Sequence, residues 1–393
     1  MGLNQTSKWT WANFEEAVEI WDSLRKPINS KERAQRVLGK SKDDLYPYYG
    51  ATGQVGYIDS YLSDGEYVLL GEDGAPFLNP IANKAYLIRG KAWVNNHAHI
   101  LRSKYNNKFL CYYLNHFDYH GFVTGTTRYK LTQAAMKRIP VPVPNPNEQE
   151  RIVSKIEELF SKLDASVTEL ETTKEKLKVY RQAVLKEAFT PSKEWKRIKA
   201  LDIGEVKLGR QRSPKNISNL YPTKYIRAAN ITEQGIDLSD VLEMEFTPTE
   251  RSKYYLQEND IVISEASGSP TQVGKPALWK CEIPKCCFQN TVIRHRVTQA
   301  NPEYVFWYYK YLYMSGYFSS IVGGVGINHL GAKNFSNIEI AIPSAAEQTK
   351  IVQKIEQIIS VYSSIEQTID TSLQQAESLR QSILKQAFEG RLV

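Results

Sequence analysis

The segment EQERIVSKIEELFSKLDASVTELETTKEKLKVYRQAVLKEAF, from Glu148 to Phe189, decides the fold, because the chain contains it twice. The second copy, EQTKIVQKIEQIISVYSSIEQTIDTSLQQAESLRQSILKQAF, runs from Glu347 to Phe388 and aligns without a gap, 199 residues further on. Fifteen of the 42 positions are identical, whereas unrelated sequences of average composition would share roughly two or three. The chain is therefore an internal duplication.

Both copies have the apolar periodicity of a long helix. Apolar side chains recur every seven residues, as in a coiled coil, and each helix would be about 60 Å long. The seven-residue row contains Ile156, Leu163, Leu170, Leu177 and Val184 in the first copy and Ile355, Tyr362, Ile369, Ala376 and Ile383 in the second. A second apolar row, three or four residues from members of the first, contains Ile152, Leu159, Tyr180, Ile351, Ile358, Ile365 and Leu379. The two rows predict a helix–helix seam.

The repeat also extends upstream of the helices. Leu131 aligns with Leu330 at the same offset, and the aromatic stretch Tyr105–Phe117 aligns with Tyr304–Tyr317. A duplicated chain commonly has approximate two-fold symmetry, which would make the two helices antiparallel. The predicted order is globular block, helix, globular block and helix, at residues 1–147, 148–190, 191–346 and 347–393.

The globular blocks have the pattern of mixed α/β domains. Glycine-rich turns are expected at residues 50–53 and 71–74. Strands are expected where β-branched and aromatic residues cluster, at Tyr67–Leu70, Tyr86–Ile88, Ile261–Ile263 and Thr291–Val297. The predicted fold class is α+β, with two globular α/β domains joined by two long antiparallel coiled-coil helices in a pseudo-two-fold arrangement.

Charge distinguishes the blocks from the helices. The 393 residues carry a net charge of +7, of which +5 lies in residues 1–147 and +4 in residues 190–346, while each helix carries −1. Basic blocks suit a polyanionic partner. Four cysteines are too few for a disulfide scaffold. No apolar run is long enough to span a membrane and no secretory signal is present, so we expect a cytoplasmic protein without a membrane partner.

Catalytic and metal-binding signatures are weak. The sequence lacks a phosphate-binding Gly-Lys-Ser/Thr loop, the Asn/Asp-Pro-Pro-aromatic segment of amino-methyltransferases and a clear nuclease cluster. Cys281, Cys286, Cys287 and His295 lack the paired spacing of structural zinc sites, so thiols packed in strands are favoured. The alternatives at His97 with His99 and at His116 with His120 are likewise less favoured than packing, and no metal site is predicted.

Polar, basic and aromatic loops in both blocks are the candidate DNA contacts. Arginine, asparagine and glutamine can form bidentate hydrogen bonds with base edges, and lysine and serine suit phosphates. For any one of these residues an ordinary solvated loop is the favoured interpretation, so the prediction depends on their clustering. The candidates are Arg25, Lys26, Asn96, His97, Thr127, Arg128, Tyr129 and Lys130 in the first block and Arg210, Gln211, Arg212, Lys215, Arg227, Asn230, Ser267, Ser269, Gln272, Gln289, Asn290, Asn328 and His329 in the second.

These features resemble the DNA-specificity (S) subunits of type I restriction–modification systems. The similarity lies in Pro144, Glu148-Gln149 and Ile152-Val153, their repeats Pro343, Glu347-Gln348 and Ile351-Val352, and the helix ends Arg181–Phe189 and Arg380–Phe388. Tyr46–Gly53 and Gly71–Ala75 are also similar to a common target-recognition pattern. The resemblance covers nearly the whole chain.

The resemblance implies that each block recognises one half of a bipartite, asymmetric DNA target. The helices would set the spacing between the halves and dock modification subunits, expected to number two, which bind S-adenosylmethionine and methylate adenine. Restriction subunits would supply ATP-dependent cleavage. The chain itself would be neither an enzyme nor a cofactor carrier. A coiled-coil assembly scaffold whose globular ends bind proteins is the main alternative, and an enzyme fused to recognition domains is a second.

Overall fold

A computed structural model of the chain describes residues 9–212, 220–322 and 328–393. The chain divides into two compact units, one made of Met1–Glu171 with Ile369–Val393 and the other of Thr172–Thr368. Each unit therefore combines one globular block with part of both long helices. Among the described residues, no helix is long and apolar enough to cross a membrane.

The first globular block contains eight strands and four short helices among its described residues, and the first long helix follows them. The strands are β1 (Thr10–Ala12), β2 (Val18–Ile20), β3 (Tyr46–Gly50), β4 (Gly53–Ile58), β5 (Ser63–Gly71), β6 (Ala85–Val94), β7 (Ala98–Ser103) and β8 (Val141–Val143). The helices are α1 (Phe14–Ala17), α2 (Ser30–Val37), α3 (Asn107–His116), α4 (Gln133–Met136) and the long α5 (Pro146–Ala188).

A six-stranded sheet forms the body of the first unit. Its order is β2-β7-β5-β6-β3-β4, and every pair is antiparallel except β3 and β6. The predicted strands Tyr67–Leu70 and Tyr86–Ile88 lie within β5 and β6. The aromatic helix α3 buries Phe109, Leu110 and Leu114 in the main core.

The second globular block begins after α5. Its strands are β9 (Lys196–Lys199), β10 (Gly204–Leu208), β11 (Pro222–Ile226), β12 (Ile231–Thr232), β13 (Gly235–Ile236), β14 (Leu242–Glu245), β15 (Ile261–Ser264), β16 (Ala266–Ser267), β17 (Pro276–Leu278), β18 (Cys287–Phe288), β19 (Val292–Val297), β20 (Asn328–His329) and β21 (Glu339–Ile342). Its helices are α6 (Pro248–Tyr254), α7 (Pro302–Met314), α8 (Tyr317–Ile321) and α9 (Ala332–Ser336), before the long α10 (Ala345–Phe388).

Two separate sheets carry the second unit. The antiparallel order β10-β19-β15-β17 contains the predicted strands at Ile261–Ile263 and Thr291–Val297, which the structure places at Ile261–Ser264 and Val292–Val297. A smaller sheet, β14-β11-β18, has one parallel pair. The aromatic helix α7 packs against the four-stranded sheet, and its Tyr304 and Tyr309 are buried in the core between them.

The repeated Glu-Gln pair has a structural explanation at the start of each long helix. Gln149 and Gln348 are buried, and each side-chain amide donates to the carbonyl five residues earlier at 2.9 Å. The preceding glutamates accept hydrogen bonds from the indole N–H groups of Trp9, at 2.9 Å, and Trp195, at 3.2 Å. The pair therefore fixes each helix start to its own globular block.

The two long helices are antiparallel. In the second unit, Arg181 pairs with Glu366 at 2.8 Å and Glu187 pairs with Lys354 at 3.0 Å, so advancing along α5 means going back along α10. In the first unit, Arg380 pairs with an acidic residue of α5, Asp164. The predicted orientation is confirmed.

The predicted seven-residue row faces the seam. Ile156, Leu177, Ile355, Ile369 and Ile383 are buried. The remaining members are partly buried: Leu163, Leu170, Val184, Tyr362 and Ala376.

The second predicted row is partly wrong. Tyr180, Ile365 and Leu379 are exposed. Each lies three residues after a member of the seven-residue row, whereas the partner helix covers the side chain that lies four residues after that member. Arg181 and Glu366, at that spacing of four, are partly buried and paired. Near the helix starts the globular blocks cover the other side as well, so three of the remaining members lie in or against the cores: Ile152, Leu159 and Ile351. The fourth, Ile358, is partly buried.

Candidate nucleic-acid interface

Four loops of the first unit meet around an open cleft of about 710 Å³. His97, Thr127, Arg128 and Tyr129 all line it, so the structure brings together residues predicted from two separate loops. The lining comes from the segments 50–52, 73–79, 95–97 and 127–129.

Asp73 is the acidic centre of this cleft. Its carboxylate accepts a hydrogen bond from Arg128 Nε at 2.7 Å and lies 3.5 Å from His97 Nδ1. Gly74 has a φ of +80°, and a Cβ there would lie 3.3 Å from Arg128 Nε, so glycine favours both the turn and this close approach. Arg128 is held at the rim while 61% of its side chain stays exposed.

Glu72 connects three segments of the first unit. Its carboxylate forms an ion pair with Arg25 and lies 3.7 Å from Lys130 Nζ. Its carbonyl accepts the Leu131 N–H at 2.7 Å. Arg25 also pairs with Asp22 at 3.1 Å, so its guanidinium holds these segments together within the protein. The Lys130 side chain, by contrast, remains half exposed.

A buried acid–histidine pair lies behind the cleft. Asp22 contacts His99 Nδ1 at 2.8 Å and accepts the Ile100 N–H at 3.0 Å. Burial acts to raise the pKa of Asp22, but the hydrogen bonds from His99 and Ile100 and the nearby Arg25 outweigh it and lower the pKa. His97 and His99 therefore contact different carboxylates.

The cysteines and His295 pack separately in the second unit. Cys286 and Cys287 are buried, and burial raises the pKa of each thiol to about 12. Cys281 is exposed. His295 is buried against Tyr309, whose hydroxyl lies 2.8 Å from Nδ1. Within the described ranges, no group of three histidine, cysteine or acidic side chains is placed to hold a metal ion.

In the second unit, a short ribbon brings candidate residues together. Ser267 pairs with Asn328 across β16 and β20, and His329 lies beside them. Glu265 directly precedes this ribbon: its carbonyl accepts the Leu330 N–H at 2.9 Å, and its carboxylate lies 3.1 Å from His329 Nδ1. Glu265 thus anchors the segment that carries Asn328 and His329.

Arg210 differs from its neighbours because it is buried. Its Nε donates to Glu250 at 2.7 Å, its Nη1 donates to the Glu245 carbonyl, and its guanidinium lies over the Phe246 ring. Only 8% of the residue is exposed. These internal contacts use the groups that a base would need, so Arg210 stabilises the loop that carries the exposed Arg212.

Asn230 is likewise a framework residue. It is 2% exposed, its side chain accepts the Arg227 N–H at 3.0 Å, and its amide donates to the carbonyls of Asp237 and Asp240. Arg227 itself is partly exposed and paired with Asp240.

The other candidates are at the surface or partly covered. Gln289 and Asn290 lie next to Arg210, because the Asn290 N–H donates to the Arg210 carbonyl at 3.0 Å. Lys215 lies outside the described residues. The exposed candidates among these are Lys26, Asn96, Thr127, Gln211, Arg212, Ser269, Gln272 and His329.

Two loop clusters result: the cleft segments of the first unit, and the ribbon with Ser267, Asn328 and His329 in the second. The predictions missed Glu72, Asp73 and Glu265, which hold these loop clusters together. A signal was available, because an acidic residue follows the most apolar strand of each block, after Val68–Gly71 and after Ile261–Ser264. Carboxylates are poor candidates for direct DNA contacts, because the DNA backbone is negatively charged, and here they act by holding the loops.

The family model for the type I restriction–modification DNA specificity domain matches residues 19–178 and again 192–375. The chain belongs to this family. The two matches each contain one loop cluster, and the membership does not favour the scaffold alternative. As a family member, the chain is the DNA sequence-recognition subunit of a restriction–modification complex.

Individual relatives cover much of the chain. A candidate type I restriction enzyme specificity subunit of Haemophilus influenzae is 28% identical over 95% of this chain and 94% of its own. The EcoKI specificity subunit of Escherichia coli is 25% identical over 66% of this chain and 59% of its own.

Two solved structures share the fold. A chain from a study of complex assembly and conformational transition of the type I R-M system matches with a TM-score of 0.73 at 16% identity, over 98% of both chains. The HsdS subunit of Thermoanaerobacter tengcongensis matches with a TM-score of 0.55 at 16% identity, over 100% of this chain and 98% of its own.

Proposed function

We propose that each loop cluster recognises one half of a bipartite, asymmetric DNA target. In this proposal, residues 1–147 and 191–346 act as target recognition domains, and the segments 148–190 and 347–393 act as spacers that dock partner subunits. The bound chain would direct adenine methylation or restriction by those partners.

The observation that carries the proposal is a shared framework with different side chains. In both units a glutamate after the central strand accepts a leucine N–H through its carbonyl, from Leu131 at 2.7 Å and from Leu330 at 2.9 Å. The preceding residues, aligned in the repeat, are Lys130 and His329. Equivalent loops with unlike side chains would recognise unlike DNA sequences.

Burial divides the candidates into two roles. Exposed residues such as Arg128, Arg212 and Gln211 are the proposed DNA contacts. The buried or paired residues Arg25, Arg210 and Asn230 would hold loops in position, since their polar groups are already used within the protein. This division identifies the sites at which substitutions should change DNA binding directly.

The proposed partners supply the chemistry. Modification subunits, expected to number two, would bind S-adenosylmethionine, and restriction subunits would use ATP, while this chain would hold no cofactor and perform no catalysis. Double-stranded DNA would be bound in the cytoplasm, where the host chromosome is found.

Mapping methylated adenines tests the proposal. The chain is expressed with its modification subunits in a host free of other adenine methyltransferases, and the genome is sequenced for methylated positions. We expect one bipartite motif, with Asn290→Ala changing one half and Arg128→Ala the other.

A companion measurement uses the purified components. The chain alone should transfer no methyl group, and the complete complex should shift duplex DNA in a salt-dependent manner. A complex that assembles but neither binds nor methylates DNA would contradict the recognition role. Methyl transfer by the chain alone would contradict the non-catalytic role.

A further inference from the structure

Arg128 is more strongly oriented than a free surface arginine. Its Nε donates to Asp73 at 2.7 Å, which leaves the two terminal Nη groups for another ligand. Asp73 is itself positioned, because it forms a β-bridge with Lys130 and is followed by Gly74 in a left-handed conformation. The Asp73 contact therefore orients the guanidinium before any ligand binds, which reduces the entropy lost on binding.

The local charge disfavours a phosphate at Arg128. The Asp73 side chain is 28% exposed and neutralises the arginine, and Glu72 is the adjacent residue. A phosphate bound to the Nη groups would approach a carboxylate that repels it. A base edge carries no net charge, and it presents donors and acceptors that an arginine–carboxylate pair can match.

One base pair matches this arrangement in the major groove. Guanine presents N7 and O6, two acceptors that suit the arginine fork, and cytosine presents an N4 amino group that can donate a hydrogen bond to a carboxylate. We propose that Arg128 and Asp73 together recognise one G·C base pair in the half-site bound by the first unit, with Arg128 on guanine. The inference rests on the proposed function and adds the identity of one base.

The experiment begins from the methylated motif of the wild-type complex. The complex is then purified with Arg128→Ala, with Asp73→Asn and with Arg89→Ala. Arg89 is a matched control, because its Nε also donates to a carboxylate, Glu66, at 2.7 Å and its side chain is 66% exposed, but it lies on β6 outside the cleft. Thermal unfolding of each variant checks that the fold is retained.

Arg128→Ala should relax one position of one half-site, and that position should be guanine on one strand. Binding to the original site should weaken roughly 5- to 150-fold, with little change for sites altered at that position. Asp73→Asn should relax the same position more weakly, and Arg89→Ala should relax none. Replacing the guanine with 7-deazaguanine should weaken wild-type binding but leave Arg128→Ala binding unchanged.

Three results would overturn the inference. Arg128→Ala could weaken all sequences alike, which would make it a phosphate contact. The relaxed position could be an A·T pair. The 7-deazaguanine effect could persist in Arg128→Ala. In each case the wild-type complex would still methylate a bipartite motif, so the proposed function would stand, whereas a wild-type complex without any motif would remove that function itself.

Discussion

The loop clusters of the two units share a backbone framework and differ in their charged side chains. Glu72 and Glu265 both follow the central strand, and each backbone N–H donates at 2.8 Å to a neighbouring loop, to the carbonyls of His97 and Thr291. Glu72 meets two cations, Arg25 and Lys130. Glu265 meets one histidine and the N–H of a following glycine.

The comparison shows how one backbone arrangement of loops can carry two different sets of DNA-contacting side chains. Main-chain hydrogen bonds hold the loops and do not depend on side-chain identity, so exposed positions can vary without loss of the loop geometry. In the first unit an acidic partner orients Arg128, whereas Arg212 of the second unit has no ion-pair partner in the described part of the chain. The predictions below test how far the equivalence extends.

The largest expected effect concerns equivalent seam positions. Ile369 is 4% exposed, whereas its repeat equivalent Leu170 is only partly buried. Ile369→Asp should therefore lower the free energy of unfolding by about 3–5 kcal/mol, because it buries a charge without a partner, and Leu170→Asp should cost less.

Thermal and denaturant unfolding of the two variants measures this difference. Leu379→Asp is the control, because Leu379 is half exposed and a surface substitution should change stability by no more than about 0.5 kcal/mol. Equal losses at Leu170 and Ile369 would show that the seam is buried evenly in both repeats.

Acid should destabilise both units through one histidine in each, His116 in the first and His295 in the second. Burial lowers the pKa of His295 and of His116 to about 4, below the ordinary value of 6.5. The unfolded chain gains these protons near pH 6.5 and the folded chain only near pH 4. The stability is therefore complete above about pH 6.5 and is lost as the pH falls toward 4, by on the order of 3 kcal/mol for His295.

Denaturant unfolding between pH 7 and pH 4 checks this loss. His295→Gln should flatten the pH dependence more than His116→Gln, because His295 is fully buried and His116 is partly exposed. A wild-type protein whose stability stayed constant from pH 7 to pH 4.5 would contradict the expectation.

The anchoring glutamates should differ in importance. Glu72→Gln removes the charge that faces the partly buried Arg25, which should cost about 1–3 kcal/mol. Glu265→Gln should cost less, because the Glu265 carboxylate faces a histidine and the Gly331 N–H rather than an arginine and a lysine. Melting temperatures of the two variants give the comparison, and a loss at Glu265 equal to or larger than that at Glu72 would contradict this ranking.

Much of the fold follows from the sequence, because the repeat and its helical period are local signals. The helices α5 and α10 and the strands β5, β6, β15 and β19 were predicted from periodicity and residue type. The orientation of the long helices followed from the duplication. The exposure of Tyr180 did not, because spacings of three and four residues look alike until the partner helix is placed.

The candidate site was less predictable because its contacts are distant in sequence. Arg210 is buried by Glu250, 40 residues away, and Arg25 is paired with Glu72, 47 residues away. Their residue type and loop position predict both arginines as DNA contacts. Only the tertiary structure shows the glutamates that pair with them. His97 and Arg128 were predicted separately as DNA contacts of the first block, and the structure places both at one cleft, around an Asp73 that was not predicted.

The smallest expected effect separates Arg212 from Arg128. Arg212 is exposed and is not oriented by a described carboxylate, so it keeps its full charge and its freedom, which suits a phosphate more than a base. Arg212→Ala should weaken binding of the complex to all DNA sequences by a similar factor and reduce the salt dependence of binding by about one counterion. It should leave the methylated motif unchanged.

Binding measured from low to moderate salt, on the specific site and on an unrelated duplex, tests this contrast. Arg128→Ala is the companion variant, for which one base position should change and the salt dependence should change less, because Asp73 already neutralises Arg128. If Arg212→Ala instead relaxed a single base position, an arginine would need no carboxylate to recognise a base here. The difference between the two loop clusters would then lie in which bases they recognise, and the division between base contacts and phosphate contacts would fail.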